Sequence, residues 1–210
     1  MDLIASTALS PDVANALINS DYSPIARLFS LLSCGISPIL KGGVLHALAA
    51  LASSPNGADE IWQRMEQYRL VPSKILSSAD SRPTGLKLEL EAVESKTGQY
   101  PVTDGLLSLL ISLTEQHPIP VALGSGYRFP GILPYLDHVL NSVLLKAFSR
   151  LYLPEGSEGE SQRFRLIAKS LRILVIILQK YPVNLLLKNV PAEALPGVKS
   201  SEVIFDPFLR

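Results

Sequence analysis

The sequence predicts an all-α protein, built as an irregular α-solenoid of stacked antiparallel helix pairs. Apolar residues recur at three- and four-residue spacing along nearly the whole chain, and period-two alternation is confined to residues 88–93. Prolines recur regularly and divide the chain into elements of about ten to twenty residues. We find no sharp repeat of the tetratricopeptide or ankyrin type, so the predicted solenoid is irregular.

The proline pattern places the helices in order. Proline suits the first turn of a helix and disfavours helix in the residue before it, so Ser-Pro and similar pairs mark helix starts. The predicted helices cover residues 11–20, 24–34, 41–53, 58–70, 85–97, 102–116, 132–151, 160–180 and 183–189.

Residues 154–161 (PEGSEGES) predict a flexible, solvated loop, because they are rich in Gly, Ser and Glu and have no apolar anchor. This loop joins two helices rather than two domains. We therefore expect residues 1–210 to form a single solenoid segment.

The two longest predicted helices have broad apolar faces. Helix 132–151 carries its apolar residues on one stripe, and helix 160–180 has a stripe that Ile173, Ile176 and Ile177 widen beyond one side. We expect helix 160–180 to pack on more than one side, as helices do in stacked pairs. The two stripes comprise Leu133, Leu136, Leu140, Val143, Leu144, Ala147 and Phe148, and Phe164, Ile167, Leu171, Leu174 and Leu178.

Composition excludes several classes of function. Of the 210 residues 47% are hydrophobic and only 18% charged, and 19 basic residues balance 19 acidic ones. With no net positive field, direct binding of nucleic acid is not expected. The single cysteine, Cys34, excludes an internal disulfide and a cysteine-rich zinc site, and fits a reducing compartment. We expect it to be a buried structural thiol.

No targeting or membrane segment is expected. The N-terminus has an acidic second residue and no basic region, unlike a secretory signal. No uninterrupted apolar run reaches the roughly 18 residues of a membrane span. Residues 42–58 are broken by glycines, a histidine and Ser-Ser-Pro-Asn-Gly, and the apolar run at 173–178 is too short.

The glycine-rich loop at residues 121–135 does not match a nucleotide site. Gly126 and Gly131 have the spacing of a P-loop, but Ile132 and Leu133 occupy the positions of its Lys and Ser or Thr. A dinucleotide loop starting at Gly124 would need a glycine where Phe129 stands. We expect a structural turn and no cofactor.

The histidines do not form a catalytic or metal-binding constellation. His46 lies on an apolar helix, where a core or groove histidine is expected, and His117 precedes a proline at a helix end. Asp137 and His138 are adjacent, so on a helix they point in different directions. We assign no catalytic, cofactor or metal residues, and a small helical hydrolase is only a third hypothesis, since it needs a converging Ser, His and carboxylate.

Two charged groups and one aromatic residue leave alternatives open. Three glutamates suggest paired carboxylates but favour a solvated helix face. A basic row suggests nucleic-acid contact, yet without aromatic residues between its charges it also favours a solvated face. Trp62 is expected to be a core anchor, and the alternative is a partner-binding hot spot. The charged groups are Glu89, Glu91 and Glu94, and Arg165, Lys169 and Arg172.

Two stretches of the chain resemble the largest scaffold nucleoporins of the nuclear pore inner ring. The first has Glu-Ser followed by Tyr-Pro-x-Thr, and the second is a Leu-Gly-x-Gly-x-Arg-x-Pro-Gly loop leading to Pro-Tyr. Flanking helices extend the likeness over residues 57–182. The matched residues are Glu94, Ser95, Tyr100, Pro101 and Thr103, and then Leu123, Gly124, Gly126, Arg128, Pro130, Gly131, Pro134 and Tyr135.

The resemblance implies a karyopherin-like, HEAT-type solenoid that supports nucleocytoplasmic transport at the nuclear pore of the nuclear envelope. Its partners would be other nucleoporins, bound through short linear segments in grooves between helices. The alternative is a HEAT-like adaptor outside the pore. Members of that family are far longer than 210 residues, so we expect an internal segment with exposed apolar faces.

Overall fold

The computed structural model describes residues 11–18, 22–71, 85–120, 123–124, 131–145 and 158–180. Within these ranges every regular element is a helix, and there is no strand. The all-α fold class predicted from the sequence is therefore confirmed for the described part of the chain. The predicted helix at 183–189 lies outside it.

Four helices form the N-terminal half of the described chain: α1 (Pro11–Ile18), α2 (Pro24–Leu32), α3 (Pro38–Leu51) and α4 (Pro55–Gln67). Each begins at a proline, whose fixed φ and missing N–H suit the first helical position.

The starts predicted for α3 and α4, residues 41 and 58, were each three residues late. The Ser37 hydroxyl accepts a hydrogen bond from the Leu40 N–H, and the Ser54 hydroxyl accepts one from Gly57. These two serines are N-caps, which is why both helices include the proline that follows.

The second half contains α5, α6, α7 and α8. Helix α5 comprises Gly85–Glu89, a π-helical segment Leu90–Glu94 and a last α-helical turn Ser95–Thr97. Helix α6 is Pro101–Gln116, and α8 is Glu158–Lys180. Helix α7 begins as Leu133–Asp137 and continues as a π-helical segment, His138–Leu144.

The loop predicted at 154–161 is partly wrong, because residues 158–161 form the first turn of α8. Acidic residues such as Glu160 favour that turn, where the helix dipole is positive. Residues 154–157 lie outside the described ranges.

The apolar core is continuous from α1 to α8. Trp62, predicted to be a core anchor, is 1% exposed, and its ring meets Tyr135 of α7 edge-on at a centroid distance of 5.4 Å. The Tyr135 hydroxyl donates to a Glu66 carboxylate oxygen at 2.5 Å, which ties α7 to α4. Among the described residues, the largest fully buried side chains are Trp62, Phe29, Ile25, Leu45, Leu48, Leu51, Ile61, Met65, Leu106, Leu107, Leu109 and Leu110.

The glycine-rich loop contains turns of the expected kind. Gly124 and Gly131 have φ values of 73° and 93°, a backbone region that glycine enters without a steric penalty. The Gly131 N–H donates to the Leu123 carbonyl at 2.8 Å, closing the loop just before α7. Gly126 lies outside the described residues.

Candidate functional site

Among the described helices, α6 receives polar side chains from three others, α3, α5 and α8. It packs on α3 and on α8, and the π-helical end of α5 reaches its N-terminus. We treat the surroundings of α6 as the candidate site, and call the side chains that meet around Asp104 the α6 junction: His46, Asp104, Ser108, Arg165 and Lys169.

The backbones of α3 and α6 approach closely at two glycines. A Cβ added to Gly105 would lie 2.8 Å from the Gly42 carbonyl oxygen and 2.8 Å from the Leu45 Cβ. A Cβ added to Gly42 would lie 2.5 Å from the Pro101 carbonyl oxygen. Side chains at these positions would separate the helices, so glycine is required for the contact.

Glu94 of α5 caps the N-terminus of α6. Tyr100, the residue before α6, makes no side-chain cap. Glu94 instead accepts hydrogen bonds from the backbone N–H of Val102 at 2.6 Å and of Thr103 at 3.2 Å, and from the Thr103 hydroxyl at 2.5 Å. These backbone donors have no partner within the helix, and a carboxylate also suits the positive end of its dipole.

Burial acts against the Glu94 charge. The residue is 1% exposed, and this desolvation raises the pKa of its carboxyl above the ordinary value of 4.5, with a further small rise from Glu89. Hydrogen bonds from Thr103 and Val102 lower the pKa but do not outweigh burial. The prediction that Glu94 lies on a solvated face is therefore wrong.

The other two glutamates of this group differ from Glu94. Glu89 pairs with Lys41 of α3, the Nζ lying 2.9 Å from a carboxylate oxygen, and Glu91 is partly exposed. The π-helical segment that begins at Leu90 changes the register of α5, so that Glu94 turns inward. Sequence spacing carries no signal for such a segment.

Asp104 lies where α3, α6 and α8 meet. Its Oδ1 is 3.0 Å from the Arg165 Nε and 2.8 Å from the Lys169 Nζ, both on α8. Its Oδ2 is 3.2 Å from the Nε2 of His46 on α3. One buried carboxylate thus joins three helices.

The partners of Asp104 outweigh its burial. Desolvation would raise the pKa of this carboxyl, but hydrogen bonds from His46 and Lys169 and the charges of Lys169 and Arg165 hold the pKa far below its ordinary value. Asp104 is therefore a carboxylate throughout the physiological pH range.

The basic row of α8 is solvated, as the sequence favoured, at Arg165 and Arg172, which are 56% and 60% exposed, but its cations also contact α6. Arg165 and Lys169 bind Asp104, and the Arg172 Nε donates to a Glu115 carboxylate oxygen of α6 at 2.8 Å. Lys180 donates to the Thr114 carbonyl at 2.7 Å and also to the Glu115 carbonyl, at the C-terminal end of α6. A cation there matches the negative end of the helix dipole.

The α6 junction contains a serine, a histidine and a carboxylate, but not in the order of a catalytic triad. In a triad the histidine lies between the serine and the carboxylate. Here Asp104 contacts His46, whereas the Ser108 hydroxyl donates to the Asp104 carbonyl at 3.0 Å and accepts from Lys169 at 2.7 Å. The serine proton is directed to its own helix, so the arrangement positions helices and has no activated nucleophile.

The remaining residues singled out from the sequence are not brought together. The His117 Nε2 bonds to the Ala52 carbonyl at 2.9 Å, at the end of α3, and His138 is buried in α7. Cys34, expected to be buried, is exposed, because α2 ends at Leu32 and the cysteine lies in the turn after it. Among the described residues, no group of His, Cys, Asp and Glu could hold a metal ion.

No helix in the described ranges is both long enough and apolar enough to cross a membrane.

Comparison with known proteins identifies the family. Residues 1–203 match the family described as nuclear pore complex scaffold, nucleoporins 186/192/205. The chain is 31% identical over 201 residues to the nuclear pore complex protein Nup205 of Drosophila melanogaster. The aligned region is 94% of this chain and 9% of that protein.

Two other similar proteins are also nuclear pore proteins. Human Nup205 is 34% identical over 139 residues, which are 66% of this chain and 7% of the relative. Nucleoporin nup186 of Schizosaccharomyces pombe is 26% identical over 199 residues, which are 80% of this chain and 11% of the relative. The chain thus spans about a tenth of the length of these relatives. This chain belongs to the nuclear pore complex scaffold family of nucleoporins 186/192/205.

Proposed function

We propose that this chain is an architectural segment of the nuclear pore scaffold, placed in the nucleus at the nuclear envelope, where it supports nucleocytoplasmic transport. The relatives are named as nuclear pore complex proteins, and the family as a scaffold. The single structural observation that carries the architectural role is the α6 junction, whose charged side chains join three helices.

We propose further that the chain forms an irregular α-solenoid and does no catalysis. The contacts of α6 with both α3 and α8 fit helices stacked in a row. The Ser108 hydroxyl bonds to its own helix, which supports a structural role for the α6 junction, where Ser108, His46 and Asp104 lie close together.

Other nucleoporins are the proposed partners, bound through short linear segments in grooves between helices. Apolar side chains that remain exposed on the described surface, including Ile39 at 71% and Phe164 at 59%, supply the kind of anchor sites that such segments use.

The proposal is tested by expressing the tagged chain in cells, imaging it, and identifying the proteins that co-purify. We expect a nuclear-rim signal and recovery of inner-ring nucleoporins. The Lys96→Ala chain, changed at one exposed residue near the end of α5, is the control and should give the same result. A diffuse cytosolic protein that recovers no nucleoporin would contradict the proposal and favour an adaptor outside the pore.

A further inference from the structure

Serine-proline pairs precede several helices, and the scaffold role makes no use of their hydroxyl groups. In the described part of the chain such pairs stand before α2, α3 and α4, at Ser23, Ser37 and Ser54. Ser-Pro is the minimal acceptor sequence of proline-directed protein kinases. These enzymes bind the serine with its backbone extended and its hydroxyl accessible, so the structure decides which of the three pairs they can use.

The three pairs have equivalent sequence contexts. The residue three positions after the serine, where some proline-directed kinases require a basic side chain, is Ala26, Leu40 or Gly57. Kinases of the mitogen-activated type, which recognise Ser-Pro without that basic residue, match all three. Any difference between the serines must therefore come from the folded structure.

Ser54 is not accessible. It is 0% exposed, and its hydroxyl donates to the Asn15 side-chain oxygen of α1 and accepts from the Gly57 N–H. Its phosphorylation would require α1 and α4 to separate locally, and it would leave a charged group in the core.

Ser23 is exposed, but its backbone is not extended. Its φ and ψ values are 42° and 61°, in the left-handed region that residues other than glycine seldom adopt. The chain would have to rotate out of this conformation before a kinase could bind it.

Ser37 meets both requirements. Its φ and ψ values are −62° and 150°, the extended conformation that a following proline favours. The exposed hydroxyl accepts one long hydrogen bond, from the Leu40 N–H at 3.4 Å. Residues 33–37 form the turn between α2 and α3, and none of residues 33–40 is buried. Nothing lies within 4 Å of a Cβ added to Gly35, so the space beside the turn is open.

We propose that Ser37 is a phosphorylation site for a proline-directed kinase of the mitogen-activated type. The Ser37 Oγ attacks the γ-phosphorus of ATP, the bond from that phosphorus to the oxygen bridging it to the β-phosphate breaks, and ADP leaves. The hydroxyl proton passes to a carboxylate of the kinase. The site goes beyond the proposed function, because it depends on one turn of this chain and on no nucleoporin partner.

The phosphate would act on the first turn of α3. Ser37 is the N-cap of this helix, and a phosphate there replaces one long hydrogen bond with three acceptor oxygens and a charge that the positive helix end favours. It would also compete with Glu89 for Lys41, whose Nζ lies 2.9 Å from the Glu89 carboxylate. We expect backbone hydrogen exchange at Leu40 to slow by about fivefold.

The test treats the full 210-residue chain with a purified mitogen-activated protein kinase, ATP and Mg²⁺, and follows each serine by mass spectrometry. In the native chain Ser37 should be phosphorylated roughly tenfold faster than Ser23 or Ser54, because the other two require local opening first. Short peptides centred on the three serines should be phosphorylated at similar rates, which shows that the fold makes the difference.

Two variants serve as site and control. Ser37→Ala should remove most of the phosphate that the three described pairs take up. Ser23→Ala, at the other exposed Ser-Pro pair, should leave the Ser37 rate unchanged. Circular dichroism checks that both variants keep their helices.

Two results would overturn the inference: a native chain that takes up no phosphate at Ser37, or native rates that are equal at the three serines. Unchanged exchange at Leu40 after phosphorylation would overturn the effect on α3. Nuclear-rim localisation bears on the proposed function alone.

Discussion

Glu94 is a buried carboxylate that satisfies the first backbone donors of α6. Replacing Glu94 with Ala leaves the Val102 and Thr103 N–H groups without that acceptor. We expect the free energy of unfolding to fall by about 2 kcal/mol, as for the loss of a strong helix cap at a buried site. Urea denaturation measures the change. Lys96→Ala, at an exposed site two residues away, should change stability by less than about 0.5 kcal/mol.

The pH response of Glu94 follows from its raised pKa. Between pH 4.5 and the higher folded-state pKa, the folded protein holds a proton that the unfolded chain has lost. The contribution of Glu94 to stability therefore decreases as the pH rises through this window. The stability of the native protein relative to Glu94→Gln should decrease from pH 4 to pH 7. A relative stability that increases over this range would contradict the burial effect.

Asp104 responds to pH in the opposite direction. Its folded-state pKa is depressed, so its stabilising contribution is complete above the ordinary value of 3.8 and is lost progressively as the pH falls below it. Asp104→Asn should cost about 2 kcal/mol at pH 7, since charge-assisted hydrogen bonds from α8 are lost. In urea titrations the deficit should be smaller at pH 3 than at pH 7. An equal deficit at both values would exclude a charge effect.

The two ion pairs between α6 and α8 should differ in strength. Asp104 is 9% exposed where it meets Lys169, whereas Arg172 and Glu115 are 60% and 34% exposed. Double-mutant cycles with Asn, Gln and Met replacements should give a coupling of about 1.5–3 kcal/mol for the first pair. The second, screened by solvent, should give about 0.2–1 kcal/mol. Equal couplings would show that burial does not govern these contacts.

Among the elements, the α3–α6 contact depends most on the absence of side chains. Gly105→Ala places a Cβ 2.8 Å from the Gly42 carbonyl oxygen, a distance that real structures avoid. We expect a loss of about 1–3 kcal/mol from overpacking, even though alanine favours helix over glycine by about 1 kcal/mol. Thermal and urea unfolding measure it. Gly35→Ala is the matched control, because nothing lies within 4 Å of its added Cβ.

The order and type of the elements could be predicted from the sequence, because helical periodicity and prolines are local signals. The α6 start is an example: the prediction was residue 102, and the helix begins at Pro101. The inward turn of Glu94 could not be predicted, since it depends on the π-helical segment of α5. Nor could the partners of Arg165 and Lys169, because no local pattern indicates that α6 lies beside α8.

Cys34 and Asp104 also show the difference between what local sequence signals predict and what depends on the folded structure. The sequence around Cys34 is apolar and suggested burial, but α2 ends two residues earlier and leaves the thiol in an exposed turn. No prediction was made for Asp104 from the sequence. A lone acidic residue in the apolar run of α6 was the available signal, since a carboxylate there requires a partner when buried.

At the scale of the whole molecule, 47% of the residues are hydrophobic. In the described part of the chain, some of them form a continuous core and others are exposed. The core extends from Ala14 to Ile177, and four large apolar residues of α8 remain exposed, namely Phe164, Leu171, Val175 and Leu178.

The central claim is that α3, α6 and α8 form one structural unit joined at Asp104. Hydrogen exchange of native and Asp104→Asn proteins tests it most directly, because exchange reports the opening of each helix separately. We predict that α6 exchanges most slowly of the described helices in the native protein, and that the substitution speeds exchange in α3, α6 and α8 together, with little change in α2. An increase confined to one of the three helices would contradict the claim.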